Sequence, residues 1–409
     1  MKIALINHSD VRGGASVVSL RLVEALNAAG VEATMVVAHK EGSSSLVVQG
    51  NQLKRRLAFI GEHIDIMAHN GWNRKTLFKI STGRFGMGLS DHRAVQEADI
   101  VILAWVNQGT LSFKEIEKLH RRGKKIVWIM HDRWNGTGVC HHVPEECQRL
   151  SHGCGRCTLI GRDCDVDLSR NVFLKKVDLY NNVPITFVAV SHWLARECEA
   201  VGPMVNQQTI VIPNAFPSQN YSPIPEQGVG DLLPAGHRYV IMAAARLDDP
   251  IKNLPLAIAS MNSLNRMDVT LVLVGDIRDI SLLEKLKTPY IYIGPVDNPA
   301  RIGRLMSQCD VVLSTSRFET LPTTVIEGMA SGCIPVTTGH GGQHDIIDGA
   351  PAGFIADRDT PATIASLLSR ALDTPPCRQA LHEHIQDRFS AKAVANQYIS
   401  LFKKLLSHN

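Results

Sequence analysis

Short apolar runs recur along the chain, and each is followed by a polar or glycine-containing turn. These runs lie at residues 3–6, 33–38, 99–104, 125–130, 184–191, 209–214, 239–244, 269–276, 290–294, 310–314 and 334–338. Their length and their content of Val and Ile predict buried strands. Stretches between them place apolar residues at helical spacing, as in the segment that ends at Gly30. This β–α alternation predicts an α/β fold with parallel sheets.

One interruption in the alternation divides the chain into two halves. Residues 217–234 are rich in Pro, Gly, Ser and Gln, a composition typical of a linker. A chain of 409 residues is long enough to bury two separate cores. We therefore predict a first domain over 1–215 that includes a cysteine-rich loop at 140–164. A second domain is predicted over 216–390, and a final amphipathic helix over 391–409.

The composition excludes several classes of protein. Hydrophobic residues make up 44% of the chain and charged residues 20%, as in an ordinary globular enzyme or binding protein. No uninterrupted apolar stretch reaches the roughly 18 residues of a transmembrane helix. The apolar run after Met1 is too short for a signal peptide. These features predict a cytoplasmic protein.

Positive charge is concentrated in one segment. Residues 51–93 contain eight Lys or Arg against three acidic residues, a local excess larger than the net charge of +4 of the entire chain. Apolar residues are interleaved with these cations, so the segment is suited to peripheral contact with an anionic membrane face. A solvated basic helix face explains the same pattern. Nucleic acid is not expected as a partner, since no recognisable binding motif accompanies the cations.

Two glutamates flank a predicted helix start in the second half. Glu319 follows the strand at 310–314, and Glu327 lies eight positions later inside a short helix that Gly332 ends. Pro322 suits the first turn of that helix. Free backbone N–H groups at a helix start attract phosphate, so a ligand could place a sugar near Glu319 and a ribose near Glu327. Glutamates at such positions are also common as solvated caps without chemistry.

Cations and glycines follow other strands. Arg246 and Lys252 come just after the strand at 239–244, where together they could neutralise a diphosphate leaving group without a divalent metal. Gly13 and Gly14 follow the first strand and permit close approach of a ligand to the backbone, although turn formation alone explains them equally well.

His131 and Asp132 stand at the end of the strand at 125–130, where open α/β sheets bind ligands. From its position alone, His131 is equally compatible with a structural and a functional role. A cysteine cluster follows, and the spacing Cys154-Gly155-Arg156-Cys157 lets neighbouring thiolates share one tetrahedral metal. The predicted ligands of a structural zinc ion are Cys140, Cys147, Cys154 and Cys157. Reduced thiols packed in a loop are the alternative, and whether His141 replaces one ligand stays open.

The string from Ser316 to Val336 resembles the Glu-x7-Glu signature of the retaining glycosyltransferases of family 4. The segment from His131 to His141 resembles the His-Asp-x-Trp-x-x-Thr-Gly-x-Cys-His pattern of a bacterial polysaccharide-biosynthesis subgroup. Gly13 and Gly14 match the Gly-Gly-Ala after the first strand of that family. The sequence departs from the family at Thr320 and Leu321, where many members have Gly-Phe-Gly.

The resemblance implies a GT-B fold, in which two doubly wound Rossmann-like domains face each other across a cleft. It implies that Glu319 and His131 orient the donor sugar, that Glu327 holds the nucleotide ribose, and that Arg246 and Lys252 clamp the diphosphate. The helix start near Thr320 and Leu321 would assist the clamp, with Gly13, Gly14 and Asp132 completing the binding site.

The activity implied is transfer of a sugar from a UDP- or GDP-sugar to a hydroxyl of a saccharide or lipid-linked saccharide. The anomeric configuration would be retained, and no metal would be required for chemistry. One alternative is a nucleotide-sugar epimerase of the same fold. The other is a non-catalytic nucleotide-binding partner that docks through the zinc loop.

Overall fold

A computed structural model of the protein describes residues 1–224 and 233–407. The chain forms two compact units, of which the first comprises Met1–Phe216 together with the segment from Val394 onward, and the second comprises Pro217–Ala393. Residues 225–232 of the predicted linker lie outside the described residues.

A seven-stranded parallel sheet forms the centre of the first unit, in the order β3-β2-β1-β4-β5-β6-β7. Its strands are β1 (Lys2–Ser9), β2 (Glu32–His39), β3 (Val47–Gln49), β4 (Ile100–Leu103), β5 (Lys125–Met130), β6 (Ile185–Ala189) and β7 (Thr209–Val211). In β1, Ile3 lies beside Ala33 of β2 and Ile100 of β4. The residues of β4 are buried without alternation, as expected for a parallel sheet with both faces covered.

Helices follow most of these strands. They are α1 (Gly14–Ala28), α2 (Gln52–His69), α3 (Arg93–Glu97), α4 (Phe113–Arg121), α5 (Leu168–Asn182) and α6 (His192–Glu199). Side-chain caps fix where several of them begin. Asn51 accepts the N–H groups of Leu53 and Lys54 at the start of α2, and Ser112 forms a capping box with Glu115 at the start of α4.

The second unit is built on a six-stranded parallel sheet in the order β10-β9-β8-β11-β12-β13. Its strands are β8 (Arg238–Arg246), β9 (Val269–Asp276), β10 (Tyr290–Gly294), β11 (Val311–Ser314), β12 (Ile334–Thr338) and β13 (Phe354–Ala356). Its helices are α7 (Leu254–Leu264), α8 (Pro299–Ser307), α9 (Thr323–Ala330), α10 (Gln343–Ile347), α11 (Pro361–Asp373) and α12 (Arg378–Phe389). The final helix, α13 (Ala391–Ser407), belongs to the first unit from Val394.

The predicted α/β fold with parallel sheets is confirmed. In each sheet the chain winds outward in one direction and then restarts beside its first strand, so a switch point lies between β1 and β4 and another between β8 and β11. Ligands of open α/β sheets bind outside the carboxyl ends of strands at such points. None of the described helices combines the length and the apolar character needed to cross a lipid bilayer.

Candidate functional site

Charged side chains from two loops meet at the carboxyl edge of the second sheet. Lys252 lies in the loop after β8, and its Nζ is 2.5 Å from Oε1 of Glu319, which follows β11. The hydroxyl of Ser316 donates to the same carboxylate oxygen at 3.0 Å. Both members of the ion pair are partly exposed, with 28% of the Lys252 side chain and 18% of the Glu319 side chain accessible. Two of the predicted site residues therefore contact each other across the β8/β11 switch point.

Backbone contacts hold these two loops together. The Thr315 hydroxyl donates to the carbonyl oxygens of Lys252 and Asn253 at 3.0 and 3.1 Å. The N–H of Arg317 donates to the carbonyl of Ile251 at 2.8 Å. Thr315 is fully buried, so both loops are fixed immediately below the ion pair.

A third loop, which follows β12, supports the backbone of Glu319. Gly342 donates its N–H to the Glu319 carbonyl at 2.9 Å. Gly341 has a φ of +96°, and a Cβ atom there would lie 1.8 Å from that same carbonyl oxygen. Only glycine fits this position, because both its conformation and the close approach exclude a side chain.

Arg246 ends β8, and it has different partners from Lys252. Its guanidinium lies 3.5 Å from Asp248 and 3.0 Å from Asp249. Asp248 also accepts the N–H groups of Arg278 and Asp279 after β9, at 3.0 and 3.1 Å. Neither aspartate was among the predicted site residues. Their positions, two and three residues after Arg246, could have identified them as partners of its guanidinium group.

The remaining predicted residues of the second unit lie around the start of α9. Pro322 is the residue before the first helical turn, and Leu321 is 5% exposed. Thr320 is partly exposed in the turn, and Glu327 is half-buried inside α9. These residues follow β11 along the same strand–turn–helix connection as Glu319.

In the first unit, Asp132 is held by three donors at the end of β5. It accepts hydrogen bonds from the Trp134 N–H at 2.8 Å, from the Trp105 Nε1 at 3.1 Å and from the His141 Nδ1 at 2.8 Å. Burial acts to raise the pKa of this carboxyl, but the charge and hydrogen bond of His141 and the Trp134 N–H outweigh it and lower the pKa to about 2. Asp132 is therefore a charged group that orients the loop around it.

His141 extends this contact into a buried polar network. Its Nε2 lies 3.0 Å from the Ser81 hydroxyl, to which Gln108 also donates at 3.3 Å. Its ring stacks on Trp105 with 5.5 Å between the ring centres. Both ring nitrogens of His141 thus have protein partners, which leaves neither for a metal. Sequence reasoning missed Ser81 and Gln108, because nothing in their spacing links them to the segment after β5.

His131 lies beside this network without joining it. Its Nε2 is buried and has no hydrogen-bond partner among residues 1–224 and 233–407. Burial lowers the pKa of this imidazole to about 4, although the neighbouring Asp132 charge acts in the opposite direction. His131 is therefore neutral at pH 7. An unpartnered buried polar atom is costly, and such atoms concentrate at functional sites.

The predicted glycine turn lies at the end of β1. Gly13 has a φ of +83° and precedes α1, which begins at Gly14, and no heavy atom lies within 4 Å of a Cβ placed at either residue. The backbone is therefore open on this side. Beneath the turn, Asn7 donates to the Ser16 hydroxyl at 3.1 Å and accepts the Trp105 N–H at 2.8 Å. Asn7 thus bridges the β1/β4 switch point, although it was not among the predicted site residues.

The four cysteines predicted to bind zinc line one cavity of about 60 Å³ in the first unit. The set comprises Cys140, Cys147, Cys154 and Cys157. The Cys154 sulfur accepts the Gly138 N–H, and the Cys157 sulfur accepts the N–H groups of Leu159 and Ile160. All four are free thiols. Burial raises the pKa of Cys140 to about 11 and that of Cys154 to about 12.

The turn between Cys154 and Cys157 is fastened to the start of α5. Asp167 accepts the Cys157 N–H at 2.8 Å, and Ser169 accepts the Gly155 N–H at 3.0 Å. Nevertheless, within the described parts of the chain no three His, Cys, Asp or Glu side chains stand where a single metal ion could contact them all. The thiols thus share a cavity but do not converge on one point.

A family of known proteins matches the part of the chain that contains the charged site. Residues 238–374 match the sequence family described as "Glycosyl transferases group 1". This segment contains Arg246, Lys252, Glu319 and Glu327. A curated relative, the phosphatidylinositol N-acetylglucosaminyltransferase gpi3 subunit of Schizosaccharomyces pombe, is 22% identical over 231 residues. That match covers 54% of this chain and 49% of the relative, so the chain spans about half the length of the relative.

Solved structures resemble the chain along its length. Sucrose-phosphate synthase from Thermosynechococcus elongatus has a TM-score of 0.65 at 16% identity, with both chains covered completely. Anabaena Alr3699/HepE, solved in complex with UDP and glucose, has a TM-score of 0.60 at 15% identity and covers 98% of this chain and 99% of its own. At these identities the likeness concerns the fold. The protein has the two Rossmann-like units of the GT-B fold, and its residues 238–374 match the "Glycosyl transferases group 1" family.

Proposed function

We propose that the protein is a glycosyltransferase that moves a sugar from a nucleotide-sugar donor to an acceptor hydroxyl. The observation that carries this proposal is the contact between Lys252 and Glu319 at the β8/β11 switch point, inside the segment that matches the glycosyltransferase family. A cation and a carboxylate at this edge suit the two parts of such a donor, since one binds phosphate and the other accepts hydrogen bonds from sugar hydroxyls.

In the proposed reaction, the bond between the anomeric carbon and the diphosphate oxygen breaks, and a bond to the acceptor oxygen forms. The proton of the acceptor hydroxyl ends on the departing phosphate. Arg246 and Lys252 would stabilise the charge that develops on the diphosphate, which is where preorganised cations contribute most to catalysis. Glu319 would orient the sugar and Glu327 would hold the ribose. His131, being neutral at pH 7, would exchange hydrogen bonds with the sugar instead of contributing charge.

Two finer features belong to the same proposal. The configuration at the anomeric carbon is retained in this proposal, because the string from Ser316 to Val336 resembles the signature of the retaining family 4 enzymes. Chemistry proceeds without a metal ion, because Arg246 and Lys252 supply the positive charge that a metal provides elsewhere. Full turnover in excess EDTA and a product with unchanged anomeric configuration by NMR would support both features. A product with inverted configuration would contradict retention. Turnover that is lost in EDTA and restored by added Mg²⁺ would contradict chemistry without a metal ion.

The nucleotide of the donor can be identified by ligand-induced stabilisation. HepE was solved with UDP, so UDP-sugars are the first donors to test and GDP-sugars the second. Saturating binding stabilises only the folded form, and a ligand at about 100 times its Kd raises the free energy of unfolding by about 2.7 kcal/mol. We expect one nucleotide family to raise the melting temperature, and release of free nucleotide diphosphate when an acceptor saccharide is added. Stabilisation by none of them would contradict the proposal.

Turnover measurements separate this proposal from its two alternatives. An epimerase would convert one nucleotide sugar into another and leave the sugar attached. A non-catalytic partner would bind nucleotide without releasing diphosphate. Release of diphosphate that depends on an acceptor saccharide or lipid-linked saccharide is expected of the transferase alone.

A structural zinc ion in the first unit is a separate proposal. It is supported by four thiols around one cavity and by backbone N–H groups that already point to Cys154 and Cys157. Binding would require the thiols to lose their protons and to move together around the ion. We expect about one equivalent of zinc in the purified protein, lost in Cys154→Ser and kept in Cys377→Ser, which changes a cysteine outside the cavity. Absence of zinc from the wild type would favour reduced structural thiols.

A further inference from the structure

One face of α2 exposes an unbroken apolar stripe. Its residues are more than half exposed, at 67% for Leu53, 63% for Leu57, 53% for Ile60 and 54% for Ile64. With about 100° of rotation per residue, these four side chains lie within about 60° of one another around the helix axis. Large aliphatic residues at this spacing ordinarily face a core, so an exposed stripe of them indicates a surface that binds something.

The opposite face of α2 fixes the helix to the first unit. Ala58, Glu62 and Ile66 are the buried residues of this helix. Glu62 accepts the Thr82 N–H at 2.8 Å, and a Cβ at Gly109 would lie 2.7 Å from the Ala58 carbonyl carbon. The helix is thus held closely against the unit on one side, and its apolar stripe projects outward on the other.

Two aromatic residues extend the apolar surface beyond the helix. Trp72 is 65% exposed and Phe78 is 69% exposed. The Phe78 ring lies 5.3 Å from that of His63, which in turn lies 4.0 Å from that of Phe59 on α2, so Phe78 adjoins the helix. Trp72 has a φ of +63°, a conformation that is unusual for a bulky residue. We call α2 and the segment that follows it, residues 52–79, the α2 surface.

Cations outnumber acidic residues on the α2 surface. Lys54 and Arg56 lie roughly 70–90° to either side of the stripe, by the same helical rotation. Further exposed cations follow α2 at Arg74, Lys75 and Lys79. The acidic residues of 52–79 do not offset them, because Glu62 is buried and Asp65 is paired with Arg84 at 3.0 Å.

We propose that the α2 surface docks on an anionic lipid bilayer, with the apolar stripe in the headgroup–acyl boundary and the flanking cations on lipid phosphates. An apolar stripe bordered by basic residues is the pattern of helices that lie in a membrane interface, and an exposed Trp suits the same depth. The cations favour an anionic bilayer over a second copy of this surface, since the second copy would bring like charges together. The inference concerns location and does not depend on the proposed sugar transfer.

Vesicle sedimentation with the full chain tests the proposal. The probes are vesicles of phosphatidylcholine alone and of phosphatidylcholine with about one-third phosphatidylglycerol, at 0.1 M salt. We expect the wild type to bind the anionic vesicles at least 10-fold more tightly than the neutral ones. Each basic residue near an anionic surface contributes about 1 kcal/mol, so Lys54→Gln/Arg56→Gln is expected to weaken anionic binding roughly 30-fold.

A matched pair of variants separates docking from general hydrophobicity. Leu57→Glu is expected to reduce binding to anionic vesicles at least 10-fold, because a large apolar side chain that would be buried in the bilayer is replaced by a negative charge. Met267→Glu is the control, since Met267 is 64% exposed in the second unit and Leu57 is 63% exposed. Equal melting temperatures would show that both variants fold.

Three results would overturn the proposal. The first is no sedimentation of the wild type with anionic vesicles, and the second is equal loss of binding in Leu57→Glu and Met267→Glu. The third is a concentration-dependent dimer that Leu57→Glu abolishes, together with absence of vesicle binding. That result would assign the surface to a second copy of the chain.

Discussion

The carboxyl edges of the two sheets carry polar groups of contrasting kinds at equivalent points in their topology. Around the β1/β4 switch point and the neighbouring end of β5, Asn7, Trp105, Asp132 and His141 form hydrogen bonds with the protein itself, and Asn7 and His141 are buried. Around the β8/β11 switch point, Lys252 and Glu319 form an ion pair that remains partly exposed.

This difference distinguishes polar groups that hold loops in place from polar groups that can exchange their protein partner for a ligand. Removing one member of a buried network leaves the others without partners, which is costly. A partly exposed ion pair contributes little to stability, typically 0–1 kcal/mol, so stability does not explain its presence. We therefore expect substitution of the Lys252–Glu319 pair to affect turnover and substitution within the Asp132–His141 network to affect folding.

The largest effect is expected for Glu319→Gln. The amide no longer pairs with Lys252 and accepts fewer hydrogen bonds from the sugar, and loss of one such transition-state contact typically lowers kcat by about 10²–10³. The free energy of unfolding should change by less than about 1 kcal/mol. Initial rates of diphosphate release and urea denaturation measure the two quantities.

Glu383→Gln is the control for Glu319→Gln, because Glu383 is an exposed glutamate on α12 of the same unit. It should leave both the rate and the stability unchanged. If Glu319→Gln keeps wild-type turnover, Glu319 has no role in the reaction and the contrast between the two sheet edges fails.

The second effect is a loss of stability in Asp132→Asn. The pKa of Asp132 is lowered from 3.8 to about 2 in the folded protein, which corresponds to about 2 kcal/mol of stabilisation. A carboxyl with a lowered folded pKa stabilises fully above its unfolded pKa and loses that contribution as the pH falls through the folded pKa. The difference in the free energy of unfolding between wild type and Asp132→Asn should therefore reach its full value above about pH 4 and decrease toward pH 2.

Urea denaturation at several pH values measures this difference. Asp178→Asn is the control, since Asp178 is exposed on α5 and its substitution should cost less than about 0.5 kcal/mol. A difference between wild type and Asp132→Asn that stays constant from pH 2 to 7 would show that the Asp132 charge does not stabilise the fold.

A third prediction compares one glycine from each unit. At Gly341 an added Cβ would meet the Glu319 carbonyl oxygen at 1.8 Å, whereas at Gly14 it would meet nothing within 4 Å. Gly341→Ala should lower the free energy of unfolding by at least about 1–2 kcal/mol from its positive φ alone. Gly14→Ala should change it by less than about 0.5 kcal/mol. Thermal unfolding compares the two variants, and equal effects would contradict the described turn.

The smallest effect is expected in the pH profile of kcat/KM. With its pKa lowered to about 4 by burial, His131 keeps its neutral form from about pH 5 upward. Between pH 5.5 and 8 its ionisation should change kcat/KM by less than about twofold. His131→Asn should therefore lower the profile without changing its shape. A step near pH 6–7 that the variant abolishes would show that His131 titrates in that range.

Much of the fold could be predicted from the sequence, because the periodicity of apolar residues indicates which positions are buried. The run at 310–314 predicted β11 (Val311–Ser314), and the glycine at 332 predicted the end of α9, which ends two residues earlier at Ala330. Strand order was not readable, because it depends on contacts between segments far apart in the chain. The β8/β11 switch point, which brings Lys252 to Glu319, emerges only when β11 pairs with β8.

Local pattern and turn chemistry were enough to predict most of the element order, the parallel sheets and the residue types at the strand ends. Which of those residues meet depends on the packing of segments that are far apart in the chain. The tertiary structure paired Lys252 with Glu319 and Arg246 with two aspartates, and it placed Asp132 against His141. It also exposed the apolar stripe of α2, within the segment whose interleaved cations and apolar residues predicted contact with an anionic membrane face. The physical reason is that periodicity identifies an apolar face, whereas long-range packing determines what that face contacts.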